Sequence, residues 1–524
     1  MVEVNTITPI NTGADKPVDN LLRRYERAKS LRDNWTSLFE ECYEYALPQR
    51  ESFYAETPGQ RRDDKIFDET AVVGVQEFAS RLQSGLVPNF ARWADFIAGS
   101  EVPEEQRDEV NSQLQGVTDY VFEILQNSNF AQEVHESFLD CAVGTGVLLC
   151  EEGDAVNPVR FSAIPLPHVV LDVGPDDRVD SIYRERQIRG GQLLVAYPKA
   201  IIPQKIKEAV LRSPEEKRKI LEIVYRDYSR INVMAHKYCV IDLETKQKIL
   251  DEQYEGVGSC PIIAYRWSKA SGEVYGRGPL INALSAIKTT NLTIELILEN
   301  AQMAISGIYQ MEDDGVINPD NVSLVPGTVI PKSPGSAGLQ PIATAGRFDV
   351  ADLVLNDMRN NIKRALYNDM LGDPNRTPAS ATEIAERMAD LSRRIGSAFG
   401  RLQAELVTPV LQRVVHILKK QGRIEIPTIN GREVKVRSVS PLAQAQAQQD
   451  IVSVDRFLEL VGGRFGPQMI NLLIDSEETS IHLARKFGVP DNLIRDKASR
   501  EEIIRMTAQL AQQQQQQQPM MPEE

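Results

Sequence analysis

Paired cysteines are missing from this sequence. It contains five cysteines in 524 residues, and no two of them have the Cys-x-x-Cys spacing of a zinc knuckle or a redox motif. An odd, scattered set also argues against a disulfide framework, so we expect free thiols and a reducing compartment. The five are Cys42, Cys141, Cys150, Cys239 and Cys260.

Long apolar runs are missing as well. No apolar stretch approaches the roughly 20 residues that a membrane-spanning helix needs. Residues 1–13 are polar and lack the basic-then-apolar layout of a secretion signal. The sequence therefore predicts a protein that is soluble when made and has no membrane partner.

Positive charge is in deficit. Lys and Arg number 59 against 74 Asp and Glu, which leaves a net charge of -15. A protein that wraps duplex DNA neutralises phosphates with basic side chains, so this balance argues against that class. It is compatible with a surface that DNA slides past without being held. The length and a hydrophobic fraction of 42% suffice for two or more packed modules.

Signatures of catalysis are absent too. The histidines have no ligand-spaced partners, and no serine or cysteine stands in a nucleophile elbow. Gly144-Thr145-Gly146 lacks the third glycine of a dinucleotide fingerprint and the Lys-Ser/Thr of a P-loop, so it predicts a tight turn between a helix and a strand. Acidic residues near turns fit solvated carboxylates or, alternatively, a Mg²⁺ site. They are Glu151, Glu152, Asp154, Asp172, Asp176, Asp177 and Asp180. We predict no catalytic residue and no cofactor.

Hydrophobic periodicity predicts helices in the first third and strands after them. The helices are expected near 19–48, 68–86, 104 onwards and 131–143. Between 159 and 267, β-rich runs at 220–228, 237–243 and 262–267 surround a helical stretch at 199–219. Residues 423–440 also predict strands, and 512–518 form a glutamine tract.

Two long helices bracket a segment rich in proline and glycine. The first is predicted to begin at Gly278-Pro279, because proline is tolerated in the first helical turn. It runs to about residue 305. The second begins at the cap Asp349 and stops at Leu371-Gly372. Together they predict a helix hairpin with an elaborated tip at 309–348.

Positive charge lies on the second of these helices. Arg359, Lys363 and Arg364 fit either a solvated face paired with nearby acids or a ring of charge that lines a channel. Beyond this helix, two prolines punctuate residues 373–379. Ser380 and Glu383 then have the spacing of a capping box and predict a further helix, kinked at Pro409 and ended at Gly422.

Several different short sequence motifs occur, one after another, over roughly residues 20–420. They are Phe67–Ala71, Phe78–Leu82, Gly85–Pro88 with Trp93, Gly144–Gly146, Arg160-Phe161, Ile164–Leu166, Tyr183–Arg186, Tyr275–Pro279, Ala283-Leu284, Ile287-Lys288, and Ala381–Ile384 with Arg387. Each motif alone has little specificity, but the ordered series resembles the head-to-tail connector (portal) family of T7-like short-tailed bacteriophages (podoviruses).

The resemblance implies an α+β, mainly helical multidomain portal fold assembled as a ring. It divides the chain into a wing (1–278 and 380–440), a stem (279–308 and 349–371), a clip (309–348), a tunnel loop (372–379) and a crown with a Gln-rich end (441–524). It places Asp373, Asn375, Arg376 and Thr377 of the tunnel loop against DNA. Arg359, Lys363 and Arg364 become candidate channel-lining charges of the stem.

The function that the resemblance implies is a structural one. A homo-dodecameric ring at one capsid vertex would let the terminase motor package DNA and would later release DNA through the attached tail adaptor. Scaffold, major capsid and internal core proteins would be further partners in a virion assembled in the host cytoplasm. Two alternatives stay open: another structural phage protein, such as a tail adaptor or core protein, and a metal-dependent nucleic-acid enzyme using the acidic turns.

Overall fold

The structure is a computed structural model, and it describes sixteen stretches and single positions of the chain. They are residues 17–54, 62–99, 102–229, 234–306, 309–311, 334–335, 339–341, 348–368, 394–425, 434–441, 451, 454–461, 463–464, 474–486, 503 and 506.

The four helices predicted in the first third are confirmed, and a strand at 94–98 that was not predicted lies among them. The helices are α1 (Pro17–Ala46), α2 (Thr70–Leu86), α3 (Glu104–Asn127), α4 (Phe130–Val143), α5 (Leu193–Ala196), α6 (Gln204–Arg212), α7 (Pro279–Ser306), α8 (Phe348–Ala365), α9 (Gly396–Leu402), α10 (Thr408–Lys420) and α11 (Ser476–Lys486). The strands are β1 (Ala94–Ala98), β2 (Thr145–Glu152), β3 (Val159–Ala163), β4 (Val169–Val173), β5 (Val179–Arg189), β6 (Lys217–Arg226), β7 (Ala235–Asp242), β8 (Gln247–Glu255), β9 (Ile262–Arg266), β10 (Tyr309–Met311), β11 (Leu339–Pro341) and β12 (Val434–Ser438).

The chain divides into two compact units. The first contains residues 1–37, 77–278 and 370–524, and the second contains residues 38–76 and 279–369. The unit that holds α7 and α8 thus also includes residues 38–76, which lie within segment 1–278 of the predicted wing.

A five-stranded antiparallel sheet, in the order β4-β5-β6-β7-β8, lies in the first unit. Successive residues of a strand point to opposite faces, so each face needs its own cover. Leu22 and Tyr25 of α1 pack with Leu221 of β6 on one face. Ile206 of α6 packs with Ile220 of β6 on the other. The sheet is therefore covered by helices on both faces.

A second antiparallel sheet in this unit has the order β3-β2-β9. The central strand β2 follows α4 directly at Gly144, and its first six residues are buried. The predicted tight turn between a helix and a strand at Gly144-Thr145-Gly146 is confirmed. Strand β1 pairs antiparallel with β12, with Phe96 opposite Val436, so distant parts of the sequence meet in one ladder.

The predicted strands near 220–228, 237–243 and 262–267 are confirmed as β6, β7 and β9. The predicted helix at 199–219 was wrong at its ends, because α6 covers only nine residues. Ser213 takes φ -139 and ψ 76 before Pro214, a residue whose ring disfavours helical geometry at the preceding position. Lys217 and Lys219 instead pair with β5, where ladder hydrogen bonds decide their conformation.

The helix that precedes Gly422 contains one irregular turn. Residues Gln403–Val407 form a π-helical turn between α9 and α10, so the irregularity lies just before the predicted kink at Pro409. Gly422 ends α10 as predicted, with φ 68. The N–H of Arg423 donates to the carbonyl of Leu418 at 3.0 Å, which is the pattern of a Schellman cap. The predicted start of this helix at Ser380 lies outside the described residues.

Helices α7 and α8 pack on each other in the second unit. Strand β10, after α7, pairs antiparallel with β11, before α8, with Tyr309 opposite Pro341. The predicted helix hairpin and the start of α7 at Pro279 are confirmed. The predicted stop at Leu371-Gly372 was wrong, because α8 ends at Ala365. Tyr367 takes φ 59, and the N–H of Asn368 donates to the carbonyl of Lys363 at 2.7 Å, so a tyrosine takes the place of the usual glycine in this cap.

All five cysteines are free thiols, as predicted. Burial raises the pKa of Cys42 to about 12 and that of Cys260 to about 11. Because the thiolate is the reactive form, these thiols are chemically quiet. In the described part of the chain, no helix combines the length and apolar character needed to cross a bilayer.

The buried imidazole of His236 predicts a loss of stability in mild acid. Burial lowers its pKa to about 4 from 6.5, and the nearby charge of Arg226 adds to the effect. The neutral ring, with Nδ1 2.7 Å from Ser259 Oγ, is thus the form that folding favours. This stability is fully present above pH 6.5 and is lost as the pH falls through 4, by on the order of 3 kcal/mol in total.

We therefore expect His236→Gln to reduce the fall in melting temperature that the wild-type protein shows between pH 7 and pH 5. Thermal melts at both pH values provide the test. An equal fall in the two proteins would show that another group controls the response to acid.

Candidate functional site

Segment 65–68, just before α2, is held by both long helices of the second unit. Asn291 of α7 accepts hydrogen bonds at Oδ1 from the N–H groups of Phe67 at 2.7 Å and Asp68 at 3.2 Å. Its Nδ2 donates to the carbonyl of Lys65 at 2.8 Å. Arg359 of α8 donates from Nε to Asp68 Oδ2 at 2.8 Å. We call these five residues the clamp, because they tie α7 and α8 to one short segment.

Asp68 is the centre of the clamp. Its Oδ1 accepts the N–H of Thr70 at 2.9 Å, which satisfies a donor in the first turn of α2. Burial alone would raise the pKa of Asp68, but the hydrogen bonds from Thr70 and Arg359 outweigh burial and hold the pKa below its usual range. The carboxylate therefore stays charged and keeps both partners at neutral pH.

The end of α8 is anchored separately. Asn368 is buried, and its Nδ2 donates to the carbonyl of Gly74 on α2 at 2.7 Å. A Cβ at Gly74 would lie 2.8 Å from Leu366 Cδ1, so only glycine allows this approach without a shift. Helix α8 is thus held at Arg359 and again at its C-terminal end.

Asp68→Ala is expected to lower the free energy of unfolding by about 2 kcal/mol, because it removes a helix cap and leaves Arg359 without its carboxylate. Arg359→Met should cost less, since the arginine is partly exposed and Asp68 keeps Thr70. Thermal melts and amide exchange on α8 measure both effects. The role assigned to Asp68 fails if Arg359→Met proves the more damaging change.

The predicted channel charges lie in different settings. Arg359 forms an ion pair with Asp68, and its side chain remains partly exposed. Lys363 and Arg364 are exposed in the last turn of α8. Asp373, Asn375, Arg376 and Thr377 lie outside the described residues.

A second close contact, in the first unit, involves three glycines. A Cβ at Gly144 would lie 2.0 Å from the carbonyl oxygen of Gly276, and one at Gly278 would lie 2.1 Å from that of Ala142. The N–H of Gly278 donates to the carbonyl of Val143 at 2.8 Å, and that of Gly276 to Thr145 Oγ1 at the same distance. Backbone thus packs directly on backbone where α4 meets β2, and α7 begins one residue beyond Gly278.

The side chains of Tyr275 and Arg277, on either side of Gly276, fix the same turn. Tyr275 Oη accepts the N–H of Leu171 at 3.1 Å, and its ring lies 6.2 Å from the ring of Trp35. The guanidinium of Arg277 covers the Trp35 ring at 4.9 Å and pairs with Glu273. We call the three glycines Gly144, Gly276 and Gly278, together with the contacts of Tyr275 and Arg277, the glycine junction.

Several of the acidic residues considered for a metal site have other partners. Asp154 Oδ1 accepts the N–H of Val156 at 2.9 Å, and Glu152 forms an ion pair with Lys420. Asp177 pairs with Lys269 at 2.6 Å. Within the described ranges, no three His, Cys, Asp or Glu side chains are grouped closely enough to hold a metal ion.

Sequence reasoning missed the roles of Asp68 and Asn291. One signal was present: an acid two residues before the start of α2, a position suited to a helix cap. Asn291 is one of three asparagines in α7 and does not stand out in the sequence. A buried amide in such a helix needs hydrogen-bond partners, which here come from the backbone of the clamp.

Comparisons with known proteins agree with one another. The family model described as bacteriophage head to tail connecting protein matches residues 18–494. A probable portal protein of Bordetella phage BPP-1 is 24% identical, covering 90% of this chain and 88% of its own. The portal protein of Salmonella phage epsilon15 is 22% identical, covering 92% and 89%. The portal protein of Escherichia phage T7 is 21% identical, covering 82% and 80%.

Proposed function

The chain belongs to the bacteriophage head to tail connecting protein family, and from that membership we propose that it forms the portal of a short-tailed phage. Twelve copies would surround a channel at one capsid vertex. The terminase would package DNA through this channel, and DNA would later leave through the tail. The family is a structural one, which disfavours the alternative of a metal-dependent enzyme.

The observation that carries the ring is the distribution of leucines on α7. Leu292, Leu296 and Leu298 are between 49% and 54% exposed in the single chain, although α8 packs on this helix. At 3.6 residues per turn, Leu296 and Leu298 point about 160° apart, on nearly opposite sides of the helix. Large apolar side chains exposed on two sides of one helix favour cover on both sides, because water is excluded from each only by a partner.

A closed ring supplies such cover. Each subunit of a cyclic assembly has two neighbours, and these contact different surfaces of it. Neighbouring copies on either side would bury Leu296 and Leu298 together, which a simple two-fold dimer does not achieve. The net charge of -15 fits the same assembly, because an acidic or neutral bore does not hold phosphates.

Mass photometry and negative-stain imaging of the purified protein test the assembly. We expect a twelve-fold ring for the wild-type chain and mainly monomers for Leu292→Ser/Leu296→Ser, because two interface leucines are lost. The matched control, Leu31→Ser/Val156→Ser, changes exposed aliphatic residues outside α7 and should still form rings. A monomeric wild-type protein at high concentration and in virions would remove the proposal.

Within the ring, α7 and α8 would form the stem, with Arg359, Lys363 and Arg364 as its candidate channel charges. Asp373, Asn375, Arg376 and Thr377 would form the tunnel loop at the narrowest point. Arg376→Ala should then leave assembly intact and alter DNA packaging or retention. Normal packaging and retention in that variant would exclude the tunnel-loop role.

Residues 309–348 would form the clip and contact the terminase and then the tail adaptor. Rigid helices that present an irregular segment are a common arrangement for recognition. Scaffold, major capsid and internal core proteins would contact the wing (1–278 and 380–440) and the crown (441–524). Assembly would take place in the host cytoplasm, and the mature ring would be part of the virion.

A further inference from the structure

The outer side of α5 and α6 exposes large aliphatic side chains to solvent. Leu193 and Ile206 are fully buried against the five-stranded sheet, while their neighbours point away from it. Four residues of this segment are between 56% and 84% exposed: Leu194, Val195, Ile201 and Leu211. Exposed apolar residues that cluster in one segment, rather than singly, indicate an interaction site.

Basic side chains accompany these residues. Residues 189–217 contain six basic against three acidic side chains, a net charge of +3 in a chain whose total is -15. Lys199 pairs with Glu252 at 3.1 Å and is thereby compensated. No acidic side chain in the described ranges forms an ion pair with Lys205, Lys207 or Arg212, and all three are exposed.

The segment is held in place by its backbone. The N–H of Ile201 donates to the carbonyl of Ile249 at 2.9 Å, and that of Gly191 donates to the carbonyl of Pro214 at 2.9 Å. A Cβ at Gly190 would contact Val210 at 3.0 Å, so the turn before α5 lies directly against α6. The surface is therefore preformed, and a partner would not have to order it.

We propose that this outer face, formed by Leu194, Val195, Ile201 and Leu211 with Lys205, Lys207 and Arg212, binds an acidic amphipathic segment of a partner protein. The partner's carboxylates would meet the uncompensated bases, and its apolar side chains would cover the aliphatic residues. Charge complementarity of this kind mainly sets specificity and association rate, while the apolar contacts add affinity.

An acidic protein segment fits better than DNA or an anionic membrane. Duplex DNA and a membrane both extend well beyond the outer face. Their negative charges would therefore be repelled by the surrounding acidic side chains, over a distance of roughly 8 Å. Four aliphatic side chains also have no favourable partner on a phosphate backbone. A short segment contacts the outer face alone.

Fluorescence anisotropy with the full-length protein tests the proposal. The probe is a labelled helical peptide with Glu and Leu on opposite faces, and the comparison probes are its Lys-for-Glu counterpart, duplex DNA and anionic vesicles. We expect the acidic peptide alone to bind, and less tightly as salt rises. Lys207→Glu/Arg212→Glu and, separately, Ile201→Ser/Leu211→Ser should each weaken binding at least about tenfold.

Lys246→Glu/Lys419→Glu is the matched control, because it makes the same change in charge at exposed lysines elsewhere. It should leave the affinity within about twofold. Equal binding of DNA, vesicles or the basic peptide, or unchanged binding in both outer-face variants, would overturn the proposal. Since all changes are at exposed positions, melting temperatures should match the wild type, and ring formation is scored separately. Failure of binding is thereby distinguished from failure of the portal function.

Discussion

Replacing Gly278 by alanine is expected to destabilise the first unit by more than about 3 kcal/mol and to reduce the soluble yield sharply. The new Cβ would lie 2.1 Å from the carbonyl oxygen of Ala142 and close to the backbone of Val143. Neither is the flexible end of a side chain, so the backbone itself must move. That movement would also break the 2.8 Å hydrogen bond from Gly278 to Val143.

Gly116→Ala provides the matched control for this change. Gly116 is exposed in the middle of α3, and no heavy atom lies within 4 Å of an added Cβ. Alanine there should be neutral or stabilising by up to about 1 kcal/mol, because glycine is the poorer helix former. Thermal melts of both variants measure the contrast. Equal melting temperatures would mean that the glycine junction can relax at little cost.

The second large effect is expected at the ion pair between Arg266 and Glu405. Arg266 is almost completely buried in β9, and its Nη2 donates to Glu405 Oε1 at 2.7 Å while Nε donates to Oε2 at 3.2 Å. Removing one partner of a buried pair leaves an uncompensated charge, so Arg266→Met should destabilise the protein by about 3–5 kcal/mol. Urea unfolding followed by the fluorescence of the adjacent Trp267 measures the loss.

Two further variants separate charge from packing. Arg401 also lies near Glu405, at 3.5 Å, but is partly exposed, so Arg401→Ala should cost at most about 1 kcal/mol. Arg266→Met/Glu405→Met should be more stable than Arg266→Met alone, because no charge is then left buried. If the double variant is the least stable of the three, shape rather than charge explains the role of the pair.

Local chemistry in the sequence was enough to predict several element ends. Pro279 marks the start of α7, and Gly422 marks the end of α10, because each has a backbone restriction that suits its position. The end of α8 was not predictable in this way. Tyr367 adopts a left-handed conformation that glycine usually takes, and buried contacts of its neighbours Leu366 and Asn368 with Gly74 hold it there.

The candidate site was predicted less completely than the fold, for a similar reason. Arg359 stood out as a surface charge of α8, but its partner Asp68 is 291 residues away in the sequence. Charge and spacing within one helix cannot reveal a contact of that range. Two of the sequence motifs that carry the resemblance coincide with contacts in the structure. Phe67–Ala71 contains the core of the clamp, and Tyr275–Pro279 forms much of the glycine junction.

The π-helical turn at Gln403–Val407 absorbs one extra residue in the helix that leads to Gly422. Such a turn closes over one residue more than an α-helical turn, whereas each residue of a regular helix advances it by about 100°. Deleting one residue within the turn is therefore expected to restore a regular helix and to leave Arg413 donating to the carbonyls of Cys150, Gly258 and Ser259. Deleting one residue between the turn and Arg413 would instead rotate Arg413 by about 100° and break these hydrogen bonds. The turn is thus a place where the length of this helix can change without changing what its later residues contact.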